Sequence, residues 1–256
     1  FQMRTESPTV EAPPRISVIT VCFNAQTTLP ATLESIRAQG SGPWEWVVVD
    51  GASSDGTISW LQAQSPDIFL SEPDTGIYDA MNKALKLARG EWVFFLNAGD
   101  VFADKYTLQA ILKEFDARAG VDIVYGDVIY FGRLGEKQRR FHWLKRHNLL
   151  FGDLCHQAAF VRRSLFLQIG DFDCTLRFNA DFDWFLRAFR QGAGLRYTPR
   201  NIARFHDAGA HVMAGEDHLM ERNRVRARYL PLSLWRIGNW MLRLELKCRR
   251  LFGQNI

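Results

Sequence analysis

Ser71–Asp100 reads SEPDTGIYDAMNKALKLARGEWVFFLNAGD, and the pattern of this stretch decides the fold. Ile77, Ala80, Met81, Ala84, Leu85 and Ala88 recur at steps of three and four. That spacing predicts a helix over Ile77–Ala88 that stops at Gly90. Trp92–Leu96 is then an unbroken apolar run, as expected of a strand covered on both faces. A helix feeding directly into such a strand is half of a βαβ unit. Working outward toward the N-terminus, the same alternation repeats. Ile16–Cys22 and Trp46–Asp50 read as buried strands, and Ile68–Ser71 as a shorter one. Between them, Thr28–Gln39 reads as a helix with Thr27 or Thr28 near its N-cap and Pro30 in its first turn, and Thr57–Gln64 as another. The order predicts an α/β fold, a twisted and largely parallel sheet flanked by helices on both faces. In such sheets ligands sit outside the carboxyl ends of the strands. Asp50, the cluster from Asp74 to Asn82, and Asn97–Asp100 all fall at such ends.

The second half is less regular. Asp122–Tyr130 alternates like a strand, Arg139–His147 is basic and histidine-rich, His156–Arg162 reads as a strand, and Ala180–Arg190 as a helix. Pro231 separates a helix over Glu216–Tyr229 from a last one over Leu234–Phe252. Hydrophobic residues make up 47% and charged residues 23% of 256 residues, which excludes a disordered chain or a fibre. The net charge is +4, but from Leu219 onward nine Arg or Lys face two Glu, so the rest is slightly acidic. This distribution argues against a nucleic-acid partner and for an anionic surface met by the tail. The four cysteines are scattered without a CxxC pair, which excludes zinc and redox motifs and suits a reducing cytosol. The opening FQMRTESPTVEAPPR has no apolar core, so residues 1–14 are expected to be a disordered leader rather than a signal peptide.

Each polar cluster carries a functional and a structural reading. Asp50, in VVVDGASSDGT, can accept hydrogen bonds from a base or a ribose, with Gly51 letting the ligand approach the backbone; the alternative is an ordinary βα turn capped by Asp55. The Gly51–Gly56–Thr57 spacing imitates a phosphate-binding loop but lacks its lysine. Asp74, Asp79 and Asn82 crowd a helix start that needs only one capping residue, which suggests a ligand; surplus caps are the alternative. Asp100 can hold a hard dication through oxygen, or Asn97–Asp100 can be a turn. Asp181 and Asp183 open a helix, where acidic side chains complement the macrodipole. A general base also fits there, although capping is the simpler reading of those residues alone. His206, in FHDAGAH, is a metal ligand or an ordinary histidine, and His156-Gln157 can face an acceptor sugar or cap a strand.

Together the stretches ISVITVCFNA, VVVDGASSDGT, SEPDTGIYDAMNKALKLARGEWVFFLNAGD, CHQAAFVRRSLF and GDFDCTLRFNADFDWFLRA resemble the inverting family 2 glycosyltransferases of GT-A fold, closest to the bacterial exopolysaccharide and colanic-acid type. The likeness runs from about Arg15 to His211. It implies transfer of a sugar from a nucleoside-diphosphate sugar, UDP rather than GDP, to an acceptor hydroxyl. Asn24, Asp50, Gly51, Asp74, Asp79, Asn82 and Asn97 would contact the donor. Asp100 would hold Mg²⁺ or Mn²⁺ with His206, Asp181 would be the catalytic base, and His156, Gln157 and Asp183 would face the acceptor. Asn97 stands where the family carries a second acid, so Asp100 would do most of the metal binding. The rival readings are a sugar nucleotidyltransferase, whose Gly-rich basic N-terminal loop is missing after the first strand, and a non-catalytic scaffold.

The resemblance divides residues 15–212 into a nucleotide-sugar half (15–100) and an acceptor and catalytic half (101–212). Residues 213–256 follow as a helical appendage. In Leu234–Phe252 one apolar face is flanked by Arg236, Arg243, Lys247 and Arg250, with Trp235 and Trp240 nearby. An amphipathic helix lying on the inner face of the cell membrane fits that pattern better than a spanning one, with packing on the domain or dimerisation as alternatives. The expected protein is cytoplasmic and peripheral, acting on a saccharide or lipid-linked saccharide.

Overall fold

The computed structural model describes residues 12–116, 119–132, 135–144, 154–206 and 216–229. The first half follows the alternation expected. β1 (Ile16–Cys22), β2 (Trp44–Asp50), β3 (Ile68–Ser71) and β4 (Trp92–Phe95) are linked by α1 (Leu29–Arg37), α2 (Thr57–Gln64) and α3 (Ile77–Leu87). β3, β2, β1 and β4 pair in that order, all parallel. β5 (Val101–Phe102), α4 (Thr107–Phe115), β6 (Ile123–Gly132), β7 (Gly135–Arg139), β8 (Ala159–Arg162), α5 (Arg163–Ile169), α6 (Ala180–Arg190), β9 (Leu195–His206) and α7 (Glu216–Tyr229) follow. The nine strands form one sheet in the order β3-β2-β1-β4-β8-β6-β9-β5, with β7 paired to β6.

Parallel pairing dominates only the first half. β8 runs antiparallel between β4 and β6, β5 antiparallel to β9, and β7 folds back on β6, while β6 and β9 are parallel. His156–Ala158 is a single 3-10 turn, so the strand expected over His156–Arg162 begins only at Ala159. That turn lifts His156 off the sheet.

Period-two alternation explains how the sheet is covered. Ile19 and Val21, Val47 and Val49, and Val93 and Phe95 face one core with Met81, Ala84 and Leu85 of α3 and Phe182, Phe185 and Phe189 of α6. Ile16 and Val18, Trp46 and Val48, and Trp92, Phe94 and Leu96 face the other, with Leu33 and Ile36 of α1, Leu61 of α2 and Leu108, Ile111 and Phe115 of α4. Each of these three strands feeds both cores, as a sheet covered on two faces requires.

Helix α3 stops one residue earlier than the periodicity predicts, because Ala88 is already extended. Gly90 serves a different purpose from a left-handed cap. A Cβ there would lie 2.5 Å from the Ser17 backbone nitrogen, so glycine lets the chain enter β4 hard against β1. The turn is fixed by buried Glu45, which accepts hydrogen bonds from the Ser17 hydroxyl at 2.6 Å, the Arg89 backbone at 2.7 Å and the Arg89 Nε at 2.7 Å. The seam that brings β4 beside β1 also carries Asn97 to the sheet's carboxyl edge.

Candidate active site

The strands of the parallel half end on a cavity of about 1160 Å³, lined among others by Phe23, Asn24, Asp74, Asp79, Asn97 and Arg177. Asn24 leaves β1 in the left-handed region (φ 47°), a conformation asparagine tolerates better than most residues. Its side-chain oxygen accepts from the backbone N–H of Ser54 at 2.9 Å and of Asp55 at 3.4 Å, which shapes the loop after β2. Phe23 beside it leaves 63% of its surface open to solvent.

At the start of α3 the acids divide their work. The Asp74 carboxylate accepts from the Gly76 N–H at 2.9 Å. Asp79 accepts from the Thr75 N–H at 2.9 Å and lies 3.7 Å from Lys83. The Thr75 N–H, assisted by Lys83, holds the Asp79 carboxyl below the usual carboxylate range. Gly76 has φ 136° and ψ 174°, a region reserved in practice for glycine, and it turns these groups toward the cavity.

A second cavity of about 290 Å³ is lined by Asp100, His156, Gln157, Asp181, His206, His218, Arg139 and other residues. The two cavities share Ile77, Tyr78, Asn97, Arg177 and Phe178. Asp181, near the start of α6, is 9% exposed. Its Oδ1 accepts from the Phe182 N–H at 2.9 Å and faces the Tyr78 hydroxyl at 3.0 Å. The single phenolic hydrogen chooses between this oxygen and the Phe178 carbonyl, also at 3.0 Å. Burial and the neighbouring Asp181 charge push the Tyr78 phenol well above its ordinary value, so it remains a donor.

The other oxygen, Asp181 Oδ2, lies 3.0 Å from His156 Nδ1, and His156 Nε2 lies 3.0 Å from Asn97 Nδ2. Facing a carboxylate on one side and an amide N–H on the other, the ring fits the tautomer with hydrogen on Nδ1. A hydrogen-bonded line thus joins Asn97 at the end of β4 to Asp181 on α6. Asn97 Oδ1 is buried and has no hydrogen-bond partner among the described residues. Nearby, Gln157 Nε2 donates to Asp100 at 3.3 Å. Burial pushes the Asp100 carboxyl up to about 6, against the lowering influence of His156 and the Gln157 bond.

The expected site residues therefore separate into two groups. Asn24, Asp74, Asp79 and Asn97 meet at the large cavity; Asp100, His156, Gln157, Asp181 and His206 meet at the small one, with Asn97 common to both. Four stand behind the walls. Asp50 is fully buried and accepts from the Ser53 N–H at 2.9 Å, the Ser53 hydroxyl and the Ser71 hydroxyl at 2.8 Å, so here it organises the loop. Gly51 permits close packing, since a Cβ there would come 2.4 Å from the Asp74 carboxylate. Asn82 accepts from the Phe172 N–H and donates to the Phe172 carbonyl, both at 3.0 Å, pinning a loop to α3 instead of facing a donor.

Asp183 belongs to neither cavity. It is 2% exposed and binds Arg187 at 3.0 Å, Arg228 at 3.1 Å and the Tyr229 hydroxyl at 2.9 Å, fastening α7 to α6. From the same helix α7, Glu221 accepts from the backbone N–H of Arg177, Phe178 and Asn179, each at 2.8 Å, which caps α6 and orders the rim beside Asp181. The first part of the C-terminal segment thus packs on α6 and the residues just before it; Leu234–Phe252 lies outside the described residues.

Phe23, Tyr78 and Arg177 are cavity residues that sequence patterning does not single out. Phe23 had a signal in its position just past an apolar strand. Tyr78 had one in being a polar aromatic on an otherwise apolar helix face. Arg177 had none.

This architecture is the GT-A fold. The Staphylococcus aureus TarS 1–349 structure in complex with UDP-GlcNAc matches with a TM-score of 0.69 at 19% identity, covering 86% of this chain and 69% of that one. The mannosyltransferase PcManGT from Pyrobaculum calidifontis, in complex with GDP-Man and Mn²⁺, matches with a TM-score of 0.65 at 22% identity, covering 86% and 66%. The chain spans 41% of the longer TarS structure.

Residues 17–170 match Glycosyl transferase family 2, and the chain belongs to that family. It is also 36% identical over 208 residues to a PGL/p-HBAD biosynthesis glycosyltransferase of Mycobacterium bovis (strain BCG / Pasteur 1173P2), covering 77% of this chain and 79% of that protein. The protein is a glycosyltransferase. Among the described residues no helix is long and apolar enough to cross a membrane.

Proposed function

We propose that the protein transfers a sugar with inversion from a nucleoside-diphosphate sugar, a UDP-sugar in preference to a GDP-sugar, to a hydroxyl of a saccharide or lipid-linked saccharide. The observation that carries this reading is the placement of Asp181. It lines a small cavity that shares five residues with a larger one formed at the strand ends. The donor would fill the larger cavity, its base against the open face of Phe23 and its sugar near Asn97. The acceptor would enter the smaller one beside His156 and Gln157.

In that arrangement the acceptor oxygen attacks the anomeric carbon as Asp181 takes its proton. The bond from that carbon to the diphosphate oxygen breaks, and its electron pair leaves with the nucleoside diphosphate. His156 and Tyr78 hold the carboxylate in place for this transfer.

Asp100, the free oxygen of Asn97 and His206 suit Mg²⁺ or Mn²⁺. Magnesium is commonly held by one or two carboxylates completed by substrate phosphates. Among the described residues no three or more His, Cys, Asp or Glu gather as a metal cluster, which agrees with such a shared site. When bound, the cation would offset charge on the diphosphate. The basic tail from residue 219 and the amphipathic pattern of Leu234–Phe252 support a peripheral place on the inner, anionic face of the cell membrane. Truncation before Leu234 should release the protein from anionic liposomes; unchanged co-sedimentation would remove that part of the proposal.

The donor reading is tested by thermal stabilisation against nucleoside diphosphates and nucleotide sugars, with and without Mn²⁺, followed by product analysis. A shift with UDP and release of UDP from a UDP-sugar are expected. Release of pyrophosphate would indicate nucleotidyl transfer, and no shift with any nucleotide would leave the donor site unsupported.

A further inference from the structure

We infer that Arg177 contacts the diphosphate and stabilises it as it leaves, an inference that rests on the donor reading above. Among the described residues the larger cavity is lined by three carboxylates (Asp74, Asp79 and Asp217), with Arg177 as the one cationic side chain. A nucleoside diphosphate brings further negative charge into that acidic space. Arg177 also lines the smaller cavity that holds Asp181, so it stands at the junction of the two. That junction is where the reaction requires the leaving group. The sugar's anomeric carbon must face the base's side while remaining bonded to the diphosphate oxygen.

Three features suit Arg177 to this role. Its backbone is fixed, since its N–H donates to Glu221 at 2.8 Å. Its side chain is exposed, with the guanidinium 5.2 Å from the centre of the Phe178 ring, a stacking that limits its wandering. Among the described residues no carboxylate forms an ion pair with it, whereas nearby Lys83 is engaged by Glu72 at 3.0 Å and the Pro73 carbonyl at 2.6 Å. A guanidinium can present two parallel N–H groups to phosphate oxygens. As the acceptor's C–O bond forms and the C–O bond to phosphate breaks, the departing diphosphate gains one negative charge. The proton released from the acceptor goes to Asp181. Arg177 would answer the first change and Asp181 the second, from opposite sides of the same carbon.

The experiment compares wild type, Arg177→Ala and Arg177→Lys for binding of UDP and of uridine by calorimetry, alongside UDP release from a UDP-sugar. The expected result in Arg177→Ala is a loss of UDP affinity of about tenfold or more, uridine binding unchanged, and turnover reduced on the order of 10²-fold. Arg177→Lys should recover part of both, because it restores the charge without the fork. UDP affinity and turnover within twofold of wild type in Arg177→Ala would overturn the inference. So would an equal loss of uridine and UDP binding, which would mark a general disturbance of the cavity. Wild-type protein that binds neither UDP nor GDP would instead overturn the donor reading and this inference with it.

Discussion

The two halves of the molecule build their parts of the site by different means. Residues 16–100 form a parallel βαβ series whose strand ends converge on one edge, so the polar residues that follow each strand arrive there automatically. Residues 101–229 mix parallel and antiparallel strands, and their contribution depends on contacts distant in sequence. Asp181 is held by Tyr78 from α3 and by His156 from a 3-10 turn, and the rim before it is capped by Glu221 from α7. Under the proposed function, the strand-end wall of the donor cavity should tolerate changes in the second half that leave Arg177 and its neighbours in place. A base held by tertiary contacts should not.

The largest effect that sharpens this contrast is Asp181→Asn. Transfer should fall on the order of 10²–10⁴-fold while UDP affinity stays within twofold, measured by initial rates and calorimetry on the same preparation. Next comes Asp183→Ala, which strips Arg187, Arg228 and Tyr229 of their shared partner. A loss of about 2–3 kcal/mol in urea unfolding is expected, below that of a fully buried pair because Arg228 is half exposed. An unaltered unfolding midpoint would show that α7 is not fastened through this residue.

Asn82→Ala breaks the comparison if it weakens the donor. The geometry predicts a loss of about 1–3 kcal/mol of stability, from the unpaired backbone groups of Phe172, with UDP affinity unchanged. A selective loss of UDP binding would return Asn82 to the donor set.

The smallest effect concerns Asp100. Its carboxyl, raised to about 6 by burial, is ionised above that pH and protonated below it. Since a metal ligand must be deprotonated, Mn²⁺ affinity should fall by about tenfold between pH 7 and pH 5. Asp100→Asn should lose most of the Mn²⁺ affinity already at pH 7, and a flat profile in the wild type would remove Asp100 as the titrating ligand.

These differences explain what the sequence reveals and what it conceals. The four parallel strands and their helices are legible because each is a local pattern: Val47–Val49 cannot be other than buried, and α3 repeats with helical period. The candidate acids of the first half are legible for the same reason, being the polar residues next after each apolar run. Their exact duties are less so. Asp50 and Asp74 look alike in sequence, yet Asp50 is enclosed by Ser53 and Ser71 while Asp74 lines the cavity. Asp181 and Asp183 are two residues apart at one helix start. Only the packing of α7 decides that Asp183 is a fastening and Asp181 faces the site. The short β5 and α5 are too brief to announce themselves, whereas α4 does carry a helical period in Leu108, Ile111 and Phe115. Asn97 shows the limit most clearly. As a missing acid it looks like a weakened metal motif, whereas in the fold its amide meets His156 and so joins the strand-end edge to Asp181.

The account rests on one spatial claim: the donor lies at the strand ends with its diphosphate at the junction in front of Asp181. A crystal structure with UDP and Mn²⁺ tests it most directly. The account predicts the uracil against Phe23 and the diphosphate beside Asn97 and Arg177, between the two cavities. A nucleotide bound away from the strand ends, or with its diphosphate turned from Asp181, would contradict it.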